Sequence, residues 1–267
     1  MFTSNDFNIL KIYERGYIMK PDFNTIGIND NLNRERIKKL LTFGVTGAII
    51  TGVGDFLLGY GDETSGTNLA TNMMSTAPNL SDLQMILGGL LGVIGIFLEG
   101  LAYFAVYRLV ADTSPKYTHI IRTGIFGYIW LAPVGTHMNI GLVNLAYKYL
   151  LLTDSDIAIT AATKMFMYFS LPIYILLILF WLPMIIVQYK AFSKGYTLYP
   201  TYAKHFNIIL GGLPALILSV IIGPGTSLGG GIGTMFLSFG SLLLFGGLLV
   251  TLPGEERFKE FRESLDK

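Results

Sequence analysis

Residues 83–110 read LQMILGGLLGVIGIFLEGLAYFAVYRLV. At about 1.5 Å of rise per residue the stretch is long enough to cross a hydrocarbon core of about 30 Å. Lipid offers no partner to exposed backbone, so a spanning segment is a helix or a barrel strand, and an apolar run without strict alternation selects the helix. Glu99 stands near its middle. Acidic and basic residues are rare inside membrane helices, where Asp, Lys or Arg costs roughly 2.5–3.5 kcal/mol, and they usually mark a binding site, an ion path or a proton relay.

Outward from this stretch, five further windows read the same way: residues 40–60, 123–147, 165–189, 206–222 and 231–252. The chain of 267 residues is 52% hydrophobic and only 14% charged, against about 25% charged for a soluble domain, and its mean hydropathy is +0.54. The expected fold is all-α: a polytopic membrane protein with six transmembrane helices in one domain over residues 39–253, after an N-terminal segment 1–38 and before a tail 254–267.

Lys and Arg accumulate in short cytoplasmic loops. Seven precede the first window (Lys11, Arg15, Lys20, Arg34, Arg36, Lys38, Lys39), three separate the second from the third (Arg108, Lys116, Arg122), three separate the fourth from the fifth (Lys190, Lys194, Lys204), and four follow the sixth (Arg257, Lys259, Arg262, Lys267). Only Lys148 and Lys164 fall on the other side. Both termini are therefore expected in the cytoplasm and the protein in the cell (inner or plasma) membrane, with segments 61–82, 148–164 and 223–230 facing outward. The first outer loop holds Asp62, Glu63 and Asp82 and no basic residue, a composition that gathers cations or is simply solvated. Tyr196, Tyr199 and Tyr202 suit an inner aromatic belt. Phe258 and Phe261 make the tail amphipathic, which suggests anchoring at the inner surface. Residues 1–18 lack the apolar core of a cleavable signal, and Met19 is an alternative start.

Two more ionisable residues interrupt the apolar windows: Asp55 in the first and His137 in the third. At 100° per residue, Gly44, Ala48, Thr51, Gly52 and Gly59 share the face of Asp55, and Gln84, Gly88, Gly92, Gly95 and Tyr103 share that of Glu99. Gly88 and Gly92 have the small-xxx-small spacing that lets membrane helices approach closely. Trp130, Pro133, Gly141 and Asn144 fall on the face of His137, and Pro133 removes a backbone hydrogen bond one turn before it. Ser170, Tyr174, Trp181 and Gln188 form a polar stripe on the fourth helix. On the rise per residue, Glu99 and His137 come near the midplane and Asp55 about 8 Å outward, so Glu99 and His137 are the expected hydrogen-bonding pair. The candidate ligand- or ion-binding residues are Asp55, Glu99, His137, Tyr103, Trp130, Asn144 and Tyr174.

Several chemistries fall away. With no cysteine, disulfides, thiolate metal sites and thiol catalysis are excluded. No GxSxG elbow or HExxH pair appears. A single intramembrane His cannot make a bis-His haem site, and no cofactor or metal is expected. The glycine run 229–233 lacks the Lys-Ser/Thr ending of a phosphate loop and reads as an outer turn. A net charge of +1 gives no reason to expect nucleic acid. What remains is a transporter-like protein whose buried Asp/Glu/His site binds or conducts a small molecule or cation. Alternatives are an intramembrane acid–base enzyme, isomerase-like, on an apolar substrate, or a non-catalytic lipid-binding or accessory protein. Membrane lipids are the expected partners.

The strings Gly54-Asp55-Phe56-Leu57-Leu58-Gly59-Tyr60-Gly61, Gly88-Gly89-Leu90-Leu91-Gly92, Leu98-Glu99-Gly100-Leu101-Ala102-Tyr103 and Tyr107-Arg108-Leu109, with the step Gly135-Thr136-His137, resemble an uncharacterised family of bacterial multi-pass membrane proteins. That resemblance implies a six-helix inner-membrane fold and no particular activity. The Asp, Glu and His of the early helices are also similar in kind to those of the emopamil-binding and sigma-2 group, whose acids bind amines or isomerise sterols. The chain departs from that group in helix number and motif spacing.

Overall fold

The structure is a computed structural model that describes residues 31–64 and 68–265. The expectations for residues 1–30, including Lys11, Arg15, Lys20 and the two possible starts, lie outside the described residues, as does Lys267.

Among the described residues every regular element is helical. Helix α1 is Arg34–Gly59, and its first turn is capped by the Asn33 side chain accepting from the Arg36 amide at 2.9 Å. A short helix α2 (Leu69–Met73) and a 3-10 turn (Ala77–Asn79) follow. Ser81 and Gln84 then form a reciprocal capping box, which satisfies donors otherwise orphaned at a helix start, and α3 runs over Asp82–Ala111. The next rod opens with Pro115 in the first turn of α4 (Pro115–Ala132), passes through a π-helical segment (Pro133–Met138), and continues as α5 (Asn139–Leu151). A second rod is built alike: α6 (Ser155–Met165), a π-helical segment (Phe166–Ser170) and α7 (Leu171–Ser193). After a 3-10 turn (Thr201–His205) come α8 (Ile208–Ile222), α9 (Ser227–Thr234), α10 (Phe236–Val250) and the tail helix α11 (Glu255–Leu265).

Arg34–Gly59, Asp82–Ala111 and Ser155–Ser193 are each long and apolar enough to cross a membrane, and α9 with α10 makes a fourth if the pair, bent by 45°, is one span. The chain therefore has the character of a membrane protein. Helix α8 is shorter, at 15 residues. The glycine run 229–233 is a correction to the sequence reading: it lies within α9, not in an outer turn. Its glycines let α9 touch α1, since a Cβ on Gly230 would meet the Gly59 carbonyl at 2.8 Å.

α1 and α3 pack along a seam of glycines. A Cβ added to Gly54 would sit 2.9 Å from the Gly88 carbonyl, and one added to Gly95 would sit 2.2 Å from the Thr51 hydroxyl. Small residues let two backbones approach this closely. Two apolar clusters close the ends of the bundle. One holds Leu41, Tyr103, Leu109, Ile121, Phe192 and Phe245 near the ends rich in Lys and Arg. The other joins Ala70, Met74 and Ala77 of the first loop to Val143, Tyr147, Ala162 and Phe166. The tail is not a free surface anchor: Phe258 is 1% exposed within the first cluster, and Arg262 donates to the Leu32 carbonyl at 2.7 Å.

Candidate functional site

Between the two clusters lies a cavity of about 530 Å³. Asp55, Glu99 and His137, from three separate helices, all line it, together with Asn144 and Tyr174. The volume falls within the range of about 300–1,000 Å³ typical of small-molecule sites.

His137 Nε2 stands 3.2 Å from Asp55 Oδ1, so the acid paired with the imidazole is Asp55, not Glu99. Asp55 Oδ2 accepts from the Ser238 hydroxyl, and the Thr234 hydroxyl donates to the Asp55 backbone carbonyl at 2.8 Å. Both carboxylate oxygens of Asp55 are thus used. The imidazole lies flat on α3 because position 92 is glycine: a Cβ there would be 1.8 Å from His137 Nδ1.

Glu99 belongs to a second group. Its Oε2 accepts from Tyr128 at 3.1 Å and from Ser241 at 2.6 Å. The Thr51 hydroxyl also lies beside the Glu99 carboxylate, and the Trp181 indole beside the Tyr103 hydroxyl; among the described residues Asn144 Oδ1 is buried on the cavity wall without a hydrogen bond. Buried polar atoms in folded proteins are nearly always paired, so the unsatisfied Asn144 oxygen on a cavity wall that also holds two carboxylates points to a ligand or water. Among the described residues no Lys or Arg lines the cavity, and its remaining wall includes Leu58, Ile96, Ile140, Leu177, Ile178 and Leu237. Among the described residues no three of His, Asp and Glu come together closely enough to hold a metal ion.

Tyr103 and Trp130 take other places. Tyr103 is fully buried beyond Glu99, edge-on to Tyr128 at 5.5 Å and to Phe245 at 5.2 Å. It forms the floor below the cavity and does not line it. Trp130 is 76% exposed on the outside of the bundle. The cause is the π segment that separates it from His137: a π turn holds about one residue more than an α turn, which rotates the faces on its two sides by roughly 100°. The same slip brings in Tyr128, which an uninterrupted α-helix would put about 180° from His137. The sequence pattern does not single out Tyr128, Thr234, Ser238 or Ser241. Tyr128 was hidden by the π turn, and single hydroxyls in apolar helices give little signal.

The loop between α1 and α3 folds over the cavity. Asn72, Met73, Ser75 and Thr76 line it from above, along with Glu63. Asp62 is not available for cations there: it accepts from the Ser227 amide at 3.0 Å and its hydroxyl at 2.6 Å. These bonds, the hydroxyl's first, hold its carboxyl below the usual carboxylate range. Asp82 is taken by Lys148 at 2.9 Å and by the Tyr149 hydroxyl.

The family pattern of DUF6796, a family of unknown function, matches residues 23–254. The chain belongs to DUF6796. The match takes in both acids, the imidazole and every helix of the DUF6796 cavity. No curated protein and no solved structure matches the chain.

Proposed function

We propose that this DUF6796 protein is a transporter-like protein of the bacterial plasma membrane that binds a small molecule or cation at the Asp55/Glu99/His137 site. The observation that carries the reading is the convergence of these three side chains, from α1, α3 and the π segment of the third rod, on one cavity. Ionisable groups inside a membrane bundle are expensive and mark such sites by default.

Six crossings with both termini inside accommodate the fold. The two rods Pro115–Leu151 and Ser155–Ser193, α1, α3, α8 and the bent pair α9–α10 supply them, and α7 shows the lipid a face that includes Ile175, Ile178, Leu179 and Leu182. On the cytoplasmic side the cavity ends on a floor of Tyr103 and Phe245. That closed floor favours a binding protein or carrier facing outward over an open channel.

A second reading, intramembrane acid–base chemistry on an apolar substrate, is favoured by one atom. Glu99 Oε1, with only the Thr51 hydroxyl beside it, is the more open carboxylate oxygen of the site, whereas His137 Nδ1 is pressed against Gly92. In this reading Glu99, not His137, transfers the proton.

Native mass spectrometry of protein extracted from its own membrane tests the first reading. The expected result is a small molecule released from the wild-type protein and absent from Asp55→Asn and Glu99→Gln. Folded variants that carry the same mass profile as wild type would overturn it.

A further inference from the structure

Helix α7 packs along α4 and against the turn Thr201–His205, but among the described residues no extended packing joins it to α8 or α10. Leu177, Ile178 and Trp181 of α7 and Leu237 of α10 all line the cavity. Ile178 and Leu237 also keep 51% and 48% exposure. These half-exposed side chains on the cavity wall mark a gap between α7 and α10, beside the least buried of the long helices, whose most apolar 18-residue window is 22% buried.

We propose that the cavity takes a single-chain amphiphile with a cationic, hydrogen-bond-donating head, and that this ligand arrives from the membrane through the gap between α7 and α10. The proposal rests on the binding reading above and names the class of molecule bound. The polar atoms on the cavity wall that can meet a donor are oxygens: the Glu99 carboxylate with the Thr51 hydroxyl beside it, and Asn144 Oδ1, which is buried without a hydrogen bond. An ammonium group brings three donors and no acceptor, and its bonds to a carboxylate are charge-assisted and roughly twice as strong as neutral ones. A carboxylate or phosphate head would instead meet Asp55 and Glu99 with no Lys or Arg among the described residues to offset them. A bare metal cation would need oxygens all around it, which Leu177, Ile178 and Leu237 do not supply. The apolar wall and the lateral gap match an alkyl chain.

The chain has two tryptophans, so Trp130→Phe leaves Trp181, on the cavity wall, as the sole reporter. The full chain carrying this change, in a nonionic detergent, is titrated with n-dodecylamine, 1-dodecanol, dodecanoate and tetramethylammonium. We expect dodecylamine to change Trp181 emission and raise the thermal midpoint, dodecanol to bind at least tenfold more weakly, and the other two to do neither. Glu99→Gln should weaken dodecylamine at least tenfold and leave dodecanol unchanged. Thr51→Val, which removes only one hydroxyl, should weaken it several-fold and serves if Glu99→Gln does not fold. Ile178→Phe with Leu237→Phe, which narrows the gap, should slow dodecylamine association more than it changes affinity. Equal or tighter binding of dodecanoate or tetramethylammonium, an amine response indifferent to both Glu99→Gln and Thr51→Val, or no response to any probe overturns the inference. A co-purifying molecule without an amine, lost from Asp55→Asn and Glu99→Gln, would also overturn it while leaving the binding reading intact.

Discussion

The imidazole of His137 is fixed between two helices: its Nε2 meets Asp55 Oδ1 of α1 at 3.2 Å, and its Nδ1 face rests on the bare backbone of Gly92 in α3. One side chain thereby ties the π segment of the third rod to the pair α1–α3. A double-mutant cycle on Asp55→Asn and His137→Gln should therefore show coupling of about 0.6–1.7 kcal/mol, the range of measured hydrogen bonds between membrane helices. The quantity to measure is the unfolding free energy in mixed micelles. Effects that add to within about 0.3 kcal/mol would mean that the pair contributes no linkage.

The glycine contact makes a sharper prediction, because two neighbouring glycines of α3 differ in what a methyl group would strike. On Gly92 it would fall inside the imidazole, whereas on Gly89 its nearest contact is the His137 carbonyl at 3.5 Å, an ordinary distance. Gly92→Ala is expected to cost about 1–3 kcal/mol by overpacking and to abolish ligand binding by displacing His137. Gly89→Ala should retain both. Thermal midpoints and ligand titrations of the two variants, made side by side, check the contrast.

A π turn is a local excess of chain. Deleting Val134, which lies within the segment Pro133–Met138 and points outward, should return the rod to regular α-helix while keeping Tyr128 and His137 on the cavity side. The deletion is expected to fold and to keep the Tyr128–Glu99 hydrogen bond. Deleting Phe126, an outward residue of the regular helix α4, should rotate the preceding turns by about 100° and lose the fold. Circular dichroism and thermal midpoints distinguish them. Equal tolerance of both deletions would show that the π segment does not set the facing of Tyr128.

That segment also marks how far the sequence could be read. The long apolar stretches, the glycine seam of Gly88 and Gly92, and the meeting of Asp55, Glu99 and His137 on one cavity follow from hydropathy and a 3.6-residue period. The choice of partner does not. Depth counted along straight helices matched Glu99 to His137, but the third rod carries Pro133 and a π turn, so His137 reaches Asp55 instead. Trp130 and Tyr128 exchanged sides for the same reason. Ser238 and Ser241 lie beyond the 45° bend between α9 and α10, and a bend at Met235 within a glycine-rich run leaves no periodic trace.

The tail separates packing from lipid anchoring. A helix held only by the membrane surface would leave Phe258 in lipid, where Ala would cost the bundle nothing. In the structure the ring is 1% exposed, Arg262 donates to the Leu32 carbonyl, and Arg34 Nε donates to the Pro253 carbonyl at 2.8 Å. Removing a fully packed Phe typically costs about 3–5 kcal/mol. Phe258→Ala is thus expected to lower the unfolding free energy by that order in detergent, where no bilayer exists for the tail to bind. Glu256→Ala, at an exposed position of the same helix, should stay within about 0.5 kcal/mol. A Phe258→Ala loss as small as that would return the tail to the role of a surface anchor.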